Sequence, residues 1–162
     1  MDQESKEKQL KLTPNQARLK AQQFCAYQER AQQEVRNKLY NWGLYTNEVE
    51  EVIADLITEN FLNEERFAYA FTSGKFNIKA WGKLKIKQHL KQKMVSPRLI
   101  KEALENIDND EYYNKLEGLL EKKAAILKEN NPFKRKNKLA QYAAGKGYES
   151  DLIFDILNNN NL

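Results

Sequence analysis

Between Arg66 and Lys101 the chain has no acidic residue, yet it carries Arg66, Lys75, Lys79, Lys83, Lys85, Lys87, Lys91, Lys93, Arg98 and Lys101. The chemistry such a run offers is electrostatic. Ammonium and guanidinium groups bind phosphate oxygens and release the counterions condensed on a polyanion. Lys83, Lys87 and Lys91 recur at steps of four, which on a helix sets them in one ridge beside an apolar stripe of Ile86, Leu90 and Met94. Like charges so spaced repel by roughly 0.2–0.5 kcal/mol per pair, a small cost that an anionic partner relieves. Glu48, Glu50, Glu51, Asp55, Glu59, Glu64 and Glu65 precede the block with no lysine or arginine among them, and an acidic stretch from Glu102 to Glu117 follows it. A solvated helix face balanced by these acidic neighbours is one reading. The alternation of sign favours the other, a surface that matches both a protein assembly and its nucleic acid.

A second basic cluster, Lys134, Arg135, Lys136 and Lys138, fits phosphate contact and plain solvation equally well. Trp81, Phe76 and Tyr69 lie near the main block, where they can stack on unpaired bases, although aromatics at helical spacing usually pack in a core.

Covalent and acid–base chemistry have little to work with. His89 is the only histidine, so the chain holds no His–His metal pair and no histidine-based triad. Cys25, the only cysteine, forms no intrachain disulfide; set among Phe24, Ala26 and Tyr27, it reads as a small packing residue and suits a reducing compartment. Glu50 with Glu51, and Glu64 with Glu65, are sequence neighbours that diverge on a helix. No glycine-rich phosphate loop is present. These absences point to a non-enzyme with no cofactor and no metal.

The elements that must carry the lysines are helices. Six glycines and three prolines leave little for the turns of a sandwich or barrel, and Ala, Leu, Lys, Glu and Gln favour helix. The expected fold is all-α. Residues 1–12 read as a disordered arm. Thr13, Pro14 and Gln16 give a hydroxyl cap, a first-turn proline and an amide three residues past the cap. One long helix is predicted from there toward Trp42, with Leu19, Phe24, Tyr27, Ala31, Val35 and Leu39 on its apolar stripe and Gly43 ending it. Asn47 or Thr46 can cap the next helix, Asn63 a third carrying Phe67 and Phe71, and Gly74 can stop that one.

The organisation then recurs. Val35, Leu39, Gly43, Leu44, Val49, Val52 and Ile53 fall on Ile86, Leu90, Met94, Val95, Ile100, Ala103 and Leu104, and again on Leu139, Ala143, Gly147, Tyr148, Ile153, Ile156 and Leu157, at a spacing of roughly fifty residues. Ser96 before Pro97, and Ser150 before Asp151, sit where the matching helices need caps. The expected units are 13–74, 75–130, whose last helix carries Tyr113, Leu116, Leu120, Ala124 and Leu127, and a shortened 131–162. Three-helix bundles this small need neighbours for support, so an elongated tandem array is expected, its last member truncated.

The stretch FLNEERFAYAF, Phe61 to Phe71, resembles the signature of the RecX family: an aromatic and a leucine, polar residues, then Arg-Phe-Ala and a further Phe. AWGKLKIKQHLKQKMVSPRLIKEAL, Ala80 to Leu104, is similar to the family's next segment, carried by Gly82, Ile86, Leu90, Val95, Ile100, Ala103 and Leu104. Met94 stands where the family usually has glycine, so that turn needs another geometry or a strained one. The resemblance implies three tandem three-helix repeats. It also implies a regulator that binds along the groove of the RecA filament on single-stranded DNA and inhibits its ATPase and strand exchange, in homologous recombination and the SOS response.

On that reading Arg66, Lys75, Lys79, Lys83, Lys85, Lys87, Lys91, Lys93, Arg98, Lys134, Arg135 and Lys136 are the candidate filament- and DNA-binding residues. The partners are the RecA filament and single-stranded DNA, with duplex DNA as a further ligand of the basic surface. The net charge of +4 suits polyanionic partners. The expected protein is a cytoplasmic monomer that makes no membrane contact, because no apolar leader or span is visible. The rival is a tandem helix-turn-helix-like protein acting directly on nucleic acid.

Overall fold

The structure, a computed structural model, describes residues 11–162. Among the described residues there are nine α-helices and no strand: α1 Pro14–Tyr27, α2 Gln32–Asn41, α3 Thr46–Thr58, α4 Glu64–Asn77, α5 Lys83–Gln92, α6 Pro97–Glu105, α7 Asn109–Ile126, α8 Pro132–Gly145 and α9 Ser150–Asn159. Residues 1–10 of the expected arm lie outside the described residues. Lys11 and Leu12 do not behave as an arm: the Leu12 N–H donates to the Trp42 carbonyl at 2.8 Å, and the leucine packs on the first core.

The internal overlay has a direct physical counterpart. The turns after α2, α5 and α8 each pass through a left-handed residue, Gly43 at φ 92°, Met94 at φ 62° and Gly147 at φ 99°. In each, the next N–H reaches back five residues: Leu44 to Leu39 O at 3.2 Å, Val95 to Leu90 O at 3.2 Å and Tyr148 to Ala143 O at 3.3 Å. This is the 6→1 closure of a Schellman turn. Glycine adopts that backbone without strain, whereas Met94 carries a Cβ into it.

The chain forms two compact units that part between Phe67 and Ala68. In the first, α1, α2 and α3 pack on one another around Val35, Leu39, Val49, Val52, Ile53 and Leu56. The single long first helix predicted from the sequence is broken at residues 28–31. Neither proline nor glycine marks the break. Tertiary bonds hold it instead: Arg30 Nε donates to Phe24 O at 2.9 Å with its guanidinium stacked on the Phe24 ring, and the Gln32 N–H donates to Glu64 Oε2 at 2.8 Å. The buried face of α1 consists of Ala17, Ala21 and Cys25, while Leu19 is 60% and Tyr27 84% exposed. Small residues let α1 approach its partners closely, at the expense of the larger stripe expected.

Caps follow the sequence in part. Thr13 and Gln16 form a reciprocal capping box, Asn63 accepts from Arg66 N at 2.9 Å, and Ser96 accepts from Leu99 N. Thr46 is instead the first residue of α3; Glu48 reaches back to the Tyr45 N–H at 2.9 Å. Likewise, Ser150 lies inside α9. Gly74 does not end α4, which runs three residues further. One interior glycine costs only about 1 kcal/mol relative to alanine.

In the second unit α5 packs on α6, and α7 packs on both α8 and α9. That packing assigns α7 to the last three helices, so the third repeat has its full complement. Tyr112, Leu116, Leu120 and Ala124 form the buried face of α7, with Tyr112 rather than Tyr113 in the core.

Candidate nucleic-acid interface

α5 is the helix that positions the lysines, and it has no side-chain cap of its own. Its N-terminal donors are satisfied from afar. Gly82 N–H donates to Lys146 O at 2.8 Å, Leu84 N–H to Gly147 O at 2.9 Å, and Lys83 N–H to the Tyr112 hydroxyl oxygen at 2.9 Å. The Tyr112 hydroxyl in turn donates to Glu149 Oε1 at 2.7 Å, and the Tyr148 hydroxyl donates to Ala80 O at 3.0 Å. The two rings stack at 5.1 Å, both buried. The C-terminal end of α8 thus caps the N-terminal end of α5, a favourable alignment of helix dipoles. Burial, with Glu149 adding its negative charge, pushes both phenols well above the ordinary tyrosine value.

With Ile86 and Leu90 fully buried, α5 turns lysines out on two flanks. On one, Lys83, Lys87 and Lys91 border a groove of about 480 Å³ floored by Pro97, Ile100 and Leu104 and closed by Lys101 and Glu105. On the other, Lys75 and Lys85 hold their ammonium groups 4.9 and 4.6 Å from the Trp81 ring centre, and Lys93 lies 5.9 Å from that of Phe71. His89 sits 4.5 Å from Trp81. Loss of hydration, followed by the charges of Lys85, Lys75 and Lys93, holds its imidazole below the ordinary histidine value. Among the described residues Lys75, Lys79, Lys83, Lys85, Lys87 and Lys91 form no ion pair with a carboxylate.

Other candidate residues go elsewhere. Arg66 is held in place: its Nε donates to Glu29 Oε1 at 2.9 Å, and its terminal nitrogens donate to the Asn60 side chain and carbonyl at 2.8 and 3.0 Å. Arg135 donates to the carbonyls of Ala124, Leu127, Glu129 and Leu162, closing the end of α7. Both guanidiniums bridge parts of the protein and so hold the fold together, whatever else they touch. Arg98 pairs with Glu102 at 3.1 Å on its own helix. Lys136 bonds Asn158, and Lys134 projects from the first turn of α8, exposed. The third-repeat cluster is therefore reduced to scattered charges, and α5 with the end of α4 is where cations converge. Of the three aromatics weighed as stackers, Phe76 is buried against Tyr112, and Trp81 is half-buried. The capping of α5 by residues some sixty positions away left no local signal.

No group of three or more His, Cys, Asp or Glu residues among the described residues could hold a metal ion, and no helix there is long and apolar enough to cross a membrane. What the fold and site define is an all-helical protein of tandem three-helix units, the middle one strongly cationic.

The chain belongs to the RecX family. Residues 17–56 match its first three-helix domain, 63–104 its second and 110–157 its third. These stretches group α1–α3, α4–α6 and α7–α9, so the unit ends expected at 74 and 130 fall one helix late. The chain is 34% identical over 131 residues to the regulatory protein RecX of Clostridium perfringens strain SM101, covering 79% of this chain and 60% of that one. It is 29% identical over 138 residues to that of Haemophilus influenzae strain PittGG, covering 85% and 90%. The chain thus spans about 60% of the length of its clostridial relatives. In fold it is similar to the crystal structure of RecX from Lactobacillus salivarius, with a TM-score of 0.81 at 24% identity over 90% of this chain and 95% of that one.

Proposed function

We propose that this chain is a non-catalytic regulator that binds RecA assembled on single-stranded DNA in the bacterial cytoplasm and lowers its ATPase and strand-exchange activity. The observation that carries the reading is the cationic surface of α5 and the end of α4, where Lys75, Lys83, Lys85, Lys87 and Lys91 form no ion pair with a carboxylate among the described residues, although acidic residues abound elsewhere in the chain. Charges left unneutralised along one rigid helix favour an extended anionic ligand. Inhibition by occupancy needs no chemistry: a protein seated against neighbouring protomers obstructs incoming duplex and biases their conformational equilibrium. Several weak contacts from linked repeats add through tethering.

The test is a titration into RecA on single-stranded DNA, following ATP hydrolysis, with binding to naked DNA measured in parallel. Falling hydrolysis at concentrations where naked DNA is largely unbound supports the reading. Naked-DNA affinity equal to filament affinity, with hydrolysis unchanged, replaces it with a direct nucleic-acid binder.

A further inference from the structure

The two flanks of α5 differ in kind. The Lys83 side has aliphatic residues for a floor, whereas the Lys75 side is built around aromatic rings. Trp81 is the centre of the second. Phe71 meets it edge-on at 6.5 Å, His89 lies against it at 4.5 Å, and two ammonium groups stand within 5 Å of its ring centre.

The backbone under this ring is held from several directions. Ala80, the residue before it, adopts φ 54°, a left-handed conformation that alanine avoids, and the Tyr148 hydroxyl pins its carbonyl. The Trp81 N–H donates to Lys75 O at 3.0 Å, and the Gly82 N–H after it donates to Lys146 O. An indole fixed in this way has little freedom left to lose on binding, which favours a ligand that stacks.

We propose that Trp81, backed by Phe71 and His89 and ringed by Lys75, Lys85 and Lys93, is a platform on which one unpaired nucleobase stacks while the lysines take the flanking phosphates. The proposal rests on the reading that this repeat faces nucleic acid, and it specifies the form that is bound: a single strand. A base within a duplex has both faces covered by its neighbours and cannot offer one to an indole. In the free protein the ammonium groups rest on the π faces. A backbone phosphate outcompetes a ring quadrupole for them, so binding draws the lysines outward and clears the ring. The Lys83 flank lines its groove with the aliphatic Pro97, Ile100 and Leu104; the one ring beside its charges, Tyr112 at 4.8 Å from the Lys83 ammonium, is buried, so this flank supplies phosphate contact without stacking.

The chain has two tryptophans, Trp42 and Trp81, so Trp42→Phe leaves Trp81 as the sole indole reporter. The probes are an oligothymidylate of about 15 nucleotides, an abasic strand of equal length and the matching duplex, a length within known single-strand site sizes. The oligothymidylate is expected to quench Trp81 emission and to bind about five- to tenfold more tightly than the abasic strand. Trp81→Leu should erase that difference, Trp81→Phe should keep most of it, and the melting temperatures of both should match the parent. Equal affinity for thymidylate and abasic strands overturns the proposal and leaves phosphate contact alone. So does tighter binding to the duplex, or a base-dependent difference that survives Trp81→Leu. The comparison of strands on the chain with Trp81 intact needs no variant at that position, so a misfolded substitution does not block the answer. No recombinase is present, so failure here is separable from failure of filament inhibition.

Discussion

Gly82 and Gly147 meet backbone to backbone: a Cβ added to Gly82 would collide with the Gly147 carbonyl, and one added to Gly147 would collide with Lys85. This close approach lets the end of α8 cap the start of α5 and so orients the lysine-bearing helix. Gly82→Ala has to push two backbones apart, and overpacking of this kind costs about 1–3 kcal/mol. A lowered urea midpoint is expected, with the α5 N-terminal amides of Lys83 and Leu84 losing hydrogen-exchange protection first. Unaltered protection at those amides would mean that the helix end is held by something else.

Met94→Gly should act in the opposite direction. Met94 is 72% exposed, so little packing is lost, and its φ of 62° lies where an L-residue is strained by roughly 1–2 kcal/mol. Glycine's extra chain entropy returns about 0.5–1 kcal/mol of that. The net is a gain of about 0.5–1 kcal/mol, read as a higher melting temperature. A lower one would show that Met94 is not strained at this turn.

Legibility in the sequence depends on whether a feature is local. The turns at Gly43, Met94 and Gly147 align because helix-end chemistry lies within a few residues of chain, and the overlay locates all three. The frame of the repeats is harder to place. The overlay matches the last two helices of each unit and says nothing of whether the remaining helix precedes or follows, so it groups α4 and α7 with the wrong neighbours. The lysine block is visible as composition, yet its division into an aliphatic and an aromatic flank depends on Trp81, which is placed by bonds from Tyr148 and Lys146. The internal bonds of Arg66 and Arg135 are invisible for the same reason: a basic residue in sequence does not declare whether its donors face solvent or carbonyls.

That distinction is testable at the third-repeat cluster. Arg135→Ala removes a guanidinium from four carbonyls, and charged hydrogen bonds are worth about 1.5–3 kcal/mol each against solvent, though not additively. A fall in unfolding free energy of about 2–3 kcal/mol is expected. Lys134→Ala, on an exposed side chain, should leave it unchanged within about 0.5 kcal/mol. Equal stability of the two variants would restore Arg135 as a candidate for binding the ligand.

Alkaline pH should loosen both units. Burial raises the Cys25 thiol from an ordinary 9.0 to about 11, and raises the Tyr112 and Tyr148 phenols too. In each case the folded chain keeps a proton that the unfolded chain releases. Their contribution to stability is therefore complete below the ordinary value and is lost as pH rises through the folded one. For Cys25 that window runs from pH 9.0 to about 11. Urea midpoints should fall across it, and Cys25→Ala should fall less steeply than the parent. Parallel declines would take the thiol out of the account. The same burial predicts that Cys25 resists iodoacetamide at about pH 8 until the chain is unfolded.

Lys83→Glu with Lys87→Glu separates charge from fold on the proposed interface. Both side chains border the α5 groove; among the described residues neither forms an ion pair, and the only ring either of them touches is Tyr112, which the Lys83 ammonium meets at 4.8 Å, while Ile86 and Leu90 carry the helix's core contacts. Reversing them should leave helicity unchanged and even remove like-charge repulsion along the helix with Lys91, a gain of a few tenths of a kcal/mol. Inhibition of filament ATPase should weaken, and the salt dependence of binding should shrink, because every phosphate the protein no longer neutralises takes away close to one unit of slope in log K against log salt. A variant with native circular dichroism and undiminished inhibition would exclude this ridge and leave the Trp81 flank to hold the ligand alone. The two flanks lie on opposite sides of one helix, so combining the charge reversal with Trp81→Leu should give additive losses if each meets the ligand independently.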